Sequence, residues 1–88
     1  MKRRIFTIND RLEIWNSDPN CCGKKICKDQ FNRTIKLDEY NKKSKYGWNI
    51  DHVIPIARNG SDEIDNLQPL HWKSNLEKDD SPNYSKRV

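Results

Sequence analysis

Five polar residues between positions 47 and 79 could together hydrolyse a phosphodiester bond. They are Asp51, His52, Asn66, Asn75 and Lys78. Hydrolysis requires a base that takes a proton from water and positive charge that stabilises the phosphoryl and leaving oxygens. His52 can act as the general base, because an imidazole titrates near neutral pH. Asp51 and Asn75 offer oxygen ligands, which select a hard cation such as Mg²⁺ or Mn²⁺.

The other two residues have supporting roles in this interpretation. The carboxamide oxygen of Asn66, or alternatively a backbone carbonyl, would orient His52 through its second ring nitrogen. Lys78 lies one helical turn after Asn75, where it would neutralise a phosphate. Asp51 and His52 are neighbours on a predicted strand, so their side chains point to opposite faces. The site must therefore straddle the end of that strand and the helix that follows.

Local patterns predict a small α+β domain in which a strand, a loop, a short strand and a helix position these residues. Alternation of apolar and polar residues indicates a strand over about 48–54, and the Asn59-Gly60 pair marks a turn in the loop after it. A short strand over about 66–70 and a helix over about 71–78 follow.

The region before this core is less regular. A helix is predicted over about 9–16, with Asn9 or Asp10 as its N-terminal cap. Residues 28–46 fit neither the helical nor the strand period, and we expect a loop with short regular pieces there.

The excess of basic residues favours nucleic acid as the partner. The chain has 17 Lys and Arg against 13 Asp and Glu, a net charge of +4, which suits a polyanion. The alternative is that these residues only keep the chain soluble. Besides Lys78, the candidate phosphate contacts are Lys42, Lys43, Lys45, Arg58 and Lys73. Such contacts position a duplex without specifying its sequence.

The 88 residues are expected to form one domain, with its core over 47–79 and a flexible tail over 80–88. No stretch has the length of a membrane span, and no apolar run follows the basic residues 2–4 as a secretion signal requires. We therefore expect a soluble intracellular protein, cytoplasmic or associated with a nucleoid or nucleus, with reduced thiols.

The three cysteines lack the C-x2-C spacing of common zinc sites. Free thiols are the expected state of Cys21, Cys22 and Cys27. A weaker alternative is a structural zinc ion bound by these cysteines together with His71.

The segment from Trp48 to Lys78 resembles the HNH endonucleases of the ββα-metal, or His-Me finger, class. The resemblance rests on DHVIP at 51–55, NGSD at 59–62, DNLQPL at 65–70 and the Asn and Lys that follow. It implies metal ligands at Asp51 and Asn75, the general base at His52, support of that base by Asn66 and a basic residue at Lys78. It further implies cleavage of DNA with one divalent cation, leaving a 5′-phosphate.

The sequence departs from many members of that family at their structural zinc site. Many relatives carry two C-x2-C pairs, whereas here Pro19 stands at the partner position of Cys22, and His71 and Ser74 replace the second pair. Structural zinc is therefore not expected, while the catalytic set is complete.

The expected function is thus that of a metal-dependent, HNH-type DNA endonuclease that uses Mg²⁺ or Mn²⁺. The alternative is a non-catalytic basic module that binds nucleic acid and uses its aromatic side chains for stacking. The Asp-His-Asn-Asn set argues against that alternative, because binding alone does not need it. The chain has little room for a recognition module, so a homodimer or a larger complex would have to supply sequence specificity.

Overall fold

The computed structural model describes residues 6–79, within which two helices and four short strands are joined by loops and short 3₁₀ turns. The expected flexible tail over 80–88 lies outside the described residues. The predicted α+β class is confirmed. Within the described part of the chain, no helix is long and apolar enough to cross a membrane.

Helix α1 spans Ile8–Ser17 and begins at a capping box. The Thr7 hydroxyl accepts a hydrogen bond from the Asp10 amide (3.1 Å), and the Asp10 carboxylate accepts one from the Thr7 amide (2.9 Å). Both amides lack a partner within the helix, so the side chains supply one. The helix was predicted in the right place, but its cap is Thr7, because it begins one residue earlier than expected.

Strands β1 (Ile26–Lys28) and β2 (Thr34–Lys36) form an antiparallel hairpin in which Cys27 lies opposite Ile35. The sequence predicts only short regular pieces in this region. Three-residue strands are too short to show a clear alternation of apolar and polar residues, so the hairpin itself could not be identified.

Strands β3 (Trp48–His52) and β4 (Leu67–His71) form a second antiparallel pair, and helix α2 (Trp72–Asp79) follows β4 directly. The predicted order of strand, loop, strand and helix is confirmed. In the register Asp51 lies opposite Gln68. This arrangement places α2 beside the strand that carries the candidate metal ligand and general base.

The hydrophobic core lies between α1, the hairpin and β3, and its largest members are two tryptophans. The rings of Trp15 and Trp48 have centroids 5.1 Å apart, and both side chains are fully buried. Their indole N–H groups donate to the carbonyl oxygens of Lys24 (2.7 Å) and Leu37 (3.2 Å). Because these donors are paired, the rings can be buried without losing a hydrogen bond.

A disulfide bond joins Cys21 to Cys27 within this core, with Cα atoms 5.1 Å apart. The turn after α1 brings the two residues together, since the Cys21 carbonyl accepts a hydrogen bond from the Lys24 amide. Cys22 is exposed and is a free thiol. The expectation of reduced thiols is therefore wrong for Cys21 and Cys27, whose pairing depends on a turn that the spacing did not reveal.

A buried carboxylate connects the hairpin to the β4–α2 junction. Asp29, which is 3% exposed, accepts hydrogen bonds from the amides of Phe31 and Arg33 at one oxygen. Its other oxygen accepts from the amide of His71 (3.0 Å) and the hydroxyl of Ser74 (2.6 Å). These four bonds fix the start of α2, and so they help to set where Asn75 and Lys78 lie.

Candidate active site

Asp51 lies on β3 with its side chain buried against Lys78 of α2 and Gln68 of β4, and we call these buried surroundings the Asp51 pocket. Its Oδ2 atom accepts hydrogen bonds from Lys78 Nζ (2.6 Å) and from Gln68 Nε2 (2.9 Å). The Gln68 amide oxygen accepts in turn from the Gln30 side chain. The Asp51 and Lys78 side chains are only 9% and 8% exposed. The carboxylate is therefore shielded from water and held by two donors on one oxygen.

The Lys78 ammonium faces inward from α2. Besides Asp51, it donates to the backbone carbonyl oxygen of His52. The sequence predicts a phosphate contact at this position, whereas in this structure the ammonium is buried against Asp51.

Asn75 lies on α2 one turn before Lys78 and is half-buried. Among residues 6–79 its carboxamide forms no hydrogen bond, and the Oδ1 atom of Asp51 likewise has no hydrogen-bond partner there. The Asp51 carboxylate is already paired with one positive charge, the Lys78 ammonium. The Asp51 carboxylate and the Asn75 carboxamide are the kind of oxygen ligands that a hard divalent cation prefers.

The His52 imidazole, 22% exposed, contacts a carboxylate in the loop after β3. Its Nε2 atom lies 2.5 Å from Asp62 Oδ1. Because an ionised carboxylate only accepts hydrogen bonds, the neutral ring carries its proton on Nε2 and keeps the lone pair on Nδ1. Nδ1 is therefore the atom that can take a proton from water. The sequence did not single out Asp62, because this loop contains several acidic residues and only its conformation shows which one reaches His52.

Asn66 is buried at the base of the same loop, and its carboxamide binds the loop backbone. Its oxygen accepts from the Ile54 amide (2.9 Å), and its nitrogen donates to the carbonyls of Ile54 (3.1 Å) and Ser61 (2.7 Å). The predicted direct bond from this oxygen to His52 is not formed in the part of the chain that the structure describes. Asn66 instead fixes the backbone two residues after His52.

The turn at Asn59-Gly60, predicted from the sequence, completes this loop. Asn59 adopts a left-handed conformation (φ 67°). A Cβ atom at Gly60 would lie 1.7 Å from the Ile54 carbonyl oxygen, so no larger residue fits there. Gly60 thus allows the close approach that lets Asn66 bind both sides of the loop.

The other predicted phosphate contacts are on the surface. Five basic residues are exposed: Lys42, Lys43, Lys45, Arg58 and Lys73. The segment that carries the first three is attached to the β4–α2 junction by two bonds. His71 Nε2 contacts the Lys45 carbonyl (2.8 Å), and Trp72 Nε1 donates to the Ser44 carbonyl (2.8 Å). The backbone that carries these lysines is therefore fixed to the β4–α2 junction, and their side chains extend from it into solvent.

The alternative zinc set of Cys21, Cys22, Cys27 and His71 is not assembled. Cys21 and Cys27 are bonded to each other, and both ring nitrogens of His71 contact backbone groups, since Nδ1 accepts from the Lys73 amide (3.0 Å). Within residues 6–79, no group of three His, Cys, Asp or Glu side chains is arranged to hold a metal ion. His71 instead joins the Lys45 segment to the start of α2.

Comparison with known proteins adds one match. The family model described as HNH endonuclease matches residues 20–81, more than half of the chain, and this range includes all candidate site residues from Asp51 to Lys78. No curated protein and no solved structure matches the chain.

Proposed function

The chain belongs to the HNH endonuclease family, and we propose that it is a DNA endonuclease that hydrolyses phosphodiester bonds with one divalent cation. One juxtaposition carries the proposal. On β3, the His52 imidazole, with its proton directed to Asp62, directly follows Asp51, a buried carboxylate that already binds one cation, the Lys78 ammonium. Because neighbouring side chains on a strand point to opposite faces, the phosphate would lie across the end of β3, where His52 activates water and a cation at Asp51 stabilises the charge that develops.

His52 performs the proton transfer in this mechanism. As the oxygen of a water molecule forms a bond to phosphorus, Nδ1 of His52 accepts a proton from that water. The bond from phosphorus to the 3′ oxygen of the preceding nucleotide breaks, which leaves a 5′-phosphate, and the departing oxygen takes a proton from solvent. Asp62 holds the ring through Nε2–H and stabilises the imidazolium that forms.

Asp51 and Asn75 would hold the divalent cation, with their oxygen atoms favouring Mg²⁺ or Mn²⁺. When bound, such an ion supplies the positive charge that stabilises the phosphoryl and leaving oxygens. Asn66 and Gly60 keep the loop in the conformation that brings Asp62 to His52. Their part is to position groups, since neither is placed to contact the phosphate in this proposal.

The exposed cations would bind the DNA backbone. These contacts would come from exposed basic residues, which do not read bases: Lys42, Lys43, Lys45, Arg58 and Lys73. We therefore expect weak sequence preference from this chain alone. Stronger preference would come from a second subunit or another protein.

The test is metal-dependent cleavage of supercoiled, linear and branched DNA by the purified protein. We expect cleavage with Mg²⁺ or Mn²⁺ and none with chelator, with 5′-phosphate ends on the products. Binding of DNA without any cleavage in either metal would contradict the proposal. Unchanged DNA binding in the double variant Asp51→Ala, Asn75→Ala would then favour the non-catalytic binding module.

A further inference from the structure

The Lys78 ammonium occupies a place that a metal ion would otherwise be expected to fill. Among residues 6–79 it touches an oxygen atom of the Asp51 carboxylate and the backbone carbonyl oxygen of His52. Both charged side chains of the pair are more than nine-tenths buried. Burial would not favour a lysine whose role was only to bind phosphate, because an exposed ammonium is stabilised by hydration and a buried one loses that hydration.

Asp51 depends on this ammonium for its charge balance. Without Lys78, the buried carboxylate would keep Gln68 as its hydrogen-bond donor among residues 6–79, and one neutral amide does not offset the burial of a charge. Within the described residues, the Lys78 ammonium therefore neutralises the Asp51 carboxylate when no other cation is bound. A divalent ion that binds Asp51 therefore encounters the positive charge of Lys78, which already contacts this carboxylate.

We propose that Lys78 is the resident cation of the Asp51 pocket and that it competes with the divalent ion for this carboxylate, which sets the metal affinity of the site. This inference rests on the proposed function, since it takes Asp51 as a metal ligand. When the metal is absent, the Lys78 ammonium neutralises Asp51. When the metal binds Asp51, the ammonium either moves away from the carboxylate oxygen or stays and repels the ion.

The competition follows from charge and distance. An ion bound to Asp51 would lie within a few ångströms of Nζ, and like charges at such separations repel strongly in a poorly hydrated pocket. The released side chain stays on the face of α2 that carries Asn75, one turn away. There a phosphate oxygen is its natural next acceptor. Metal binding should therefore be weak without DNA and tighter with it.

The direct test compares Mn²⁺ affinity, measured by isothermal titration calorimetry without DNA, in three proteins. Lys78→Met removes the resident cation, Lys73→Met removes an exposed cation from the same helix as a matched control, and the third is the unaltered chain. We expect Mn²⁺ to bind Lys78→Met at least about tenfold more tightly than the unaltered chain, and Lys73→Met within about threefold of it.

Two outcomes would overturn the inference, and only the second would also overturn the metal site of the proposed function. If the unaltered chain binds Mn²⁺ and Lys78→Met binds it equally or more weakly, Lys78 does not compete, while the metal site of the proposed function stands. If neither the unaltered chain nor Lys78→Met binds Mn²⁺ at millimolar concentration, the metal site and the inference fail together.

A measurement on the unaltered chain covers the case in which Lys78→Met does not fold. In a ¹⁵N spectrum of the lysine side chains, the buried Lys78 ammonium should be observed separately, because its protons exchange slowly with water while it donates to Asp51. Addition of Mg²⁺ should shift this signal and speed its proton exchange at least about tenfold. A signal that Mg²⁺ leaves unchanged while it shifts the resonances of Asn75 would contradict the competition.

Discussion

The His52 ring is positioned by two separate groups of the loop after β3. Asp62 contacts the ring itself through Nε2, whereas Asn66 holds the backbone of Ile54 and Ser61. Only the first contact decides which ring nitrogen carries the proton. A change at Asp62 should therefore affect the chemistry of His52 while the loop stays closed.

We expect Asp62→Ala to slow DNA cleavage by about tenfold at saturating DNA, because the imidazole loses the acceptor that fixes its tautomer and stabilises its charged form. In ¹⁵N spectra at alkaline pH, His52 should change from a predominantly Nε2–H form to a mixture. Glu63→Ala, in the adjacent exposed position, serves as the control and should leave both readouts unchanged. An unaltered tautomer in Asp62→Ala would show that Asp62 does not orient the ring.

At the scale of elements, the hairpin and α2 are joined by polar contacts. Asp29 binds the start of α2 through His71 and Ser74, and Arg33 donates to Ser74 (3.1 Å) and to Glu77. The resemblance to HNH endonucleases places His71 and Ser74 where many relatives carry the second of two zinc-binding cysteine pairs. Asp29 accepts hydrogen bonds from the His71 amide and the Ser74 hydroxyl, so a buried carboxylate links the hairpin to both of these positions.

Loss of this carboxylate should be costly. We expect Asp29→Ala to lower the free energy of unfolding by about 3 kcal/mol, because four donors lose a common acceptor that is almost fully buried. Urea denaturation measures the change. Asp38→Ala removes an exposed carboxylate and should cost less than about 0.5 kcal/mol. Similar values for the two variants would contradict a linking role for Asp29.

The outer contact of this network predicts a pH dependence. A hydrogen bond and ion pair with Arg33 hold the pKa of the Glu77 carboxyl below its ordinary value. Its contribution to stability is therefore present above the ordinary glutamate range and is lost as the pH falls through the lowered pKa. The stability difference between the unaltered chain and Glu77→Gln should shrink as the pH falls from neutral through the ordinary glutamate pKa of 4.5 and then through the lowered pKa of Glu77. A difference that stays constant over this range would contradict the pairing.

At the scale of the whole molecule, the Cys21–Cys27 disulfide cross-links two residues of the small hydrophobic core. The bonded residues are six positions apart, and closure of a loop of this size is worth about 2 kcal/mol in the chain-entropy account. We expect a reductant to lower the free energy of unfolding by about that amount in the unaltered chain and in Cys22→Ser alike. Alkylation without reductant should label Cys22 alone, and labelling of all three cysteines would contradict the bond.

The order of elements around the site could be predicted because its signals are local. Alternating apolar and polar residues indicate β3, and the Asn59-Gly60 pair indicates the turn after it. Helix α2 follows β4 directly. The supporting contacts could not be predicted, because they join distant positions. Asp29 and His71 are 42 residues apart, and neither residue type nor spacing indicates that they meet. The inward direction of Lys78 is also a property of the packed helix, which the sequence alone presented as a surface cation.

The central claim is that His52 is the general base of a metal-dependent DNA endonuclease. It is tested most directly by the single-turnover rate of supercoiled plasmid cleavage in Mg²⁺, compared between the unaltered chain and a folded His52→Ala variant that binds DNA equally well. General bases contribute about 10²- to 10⁴-fold, so we predict a loss of at least about a hundredfold, with partial recovery on addition of imidazole. Cleavage by His52→Ala at the rate of the unaltered chain would contradict the account.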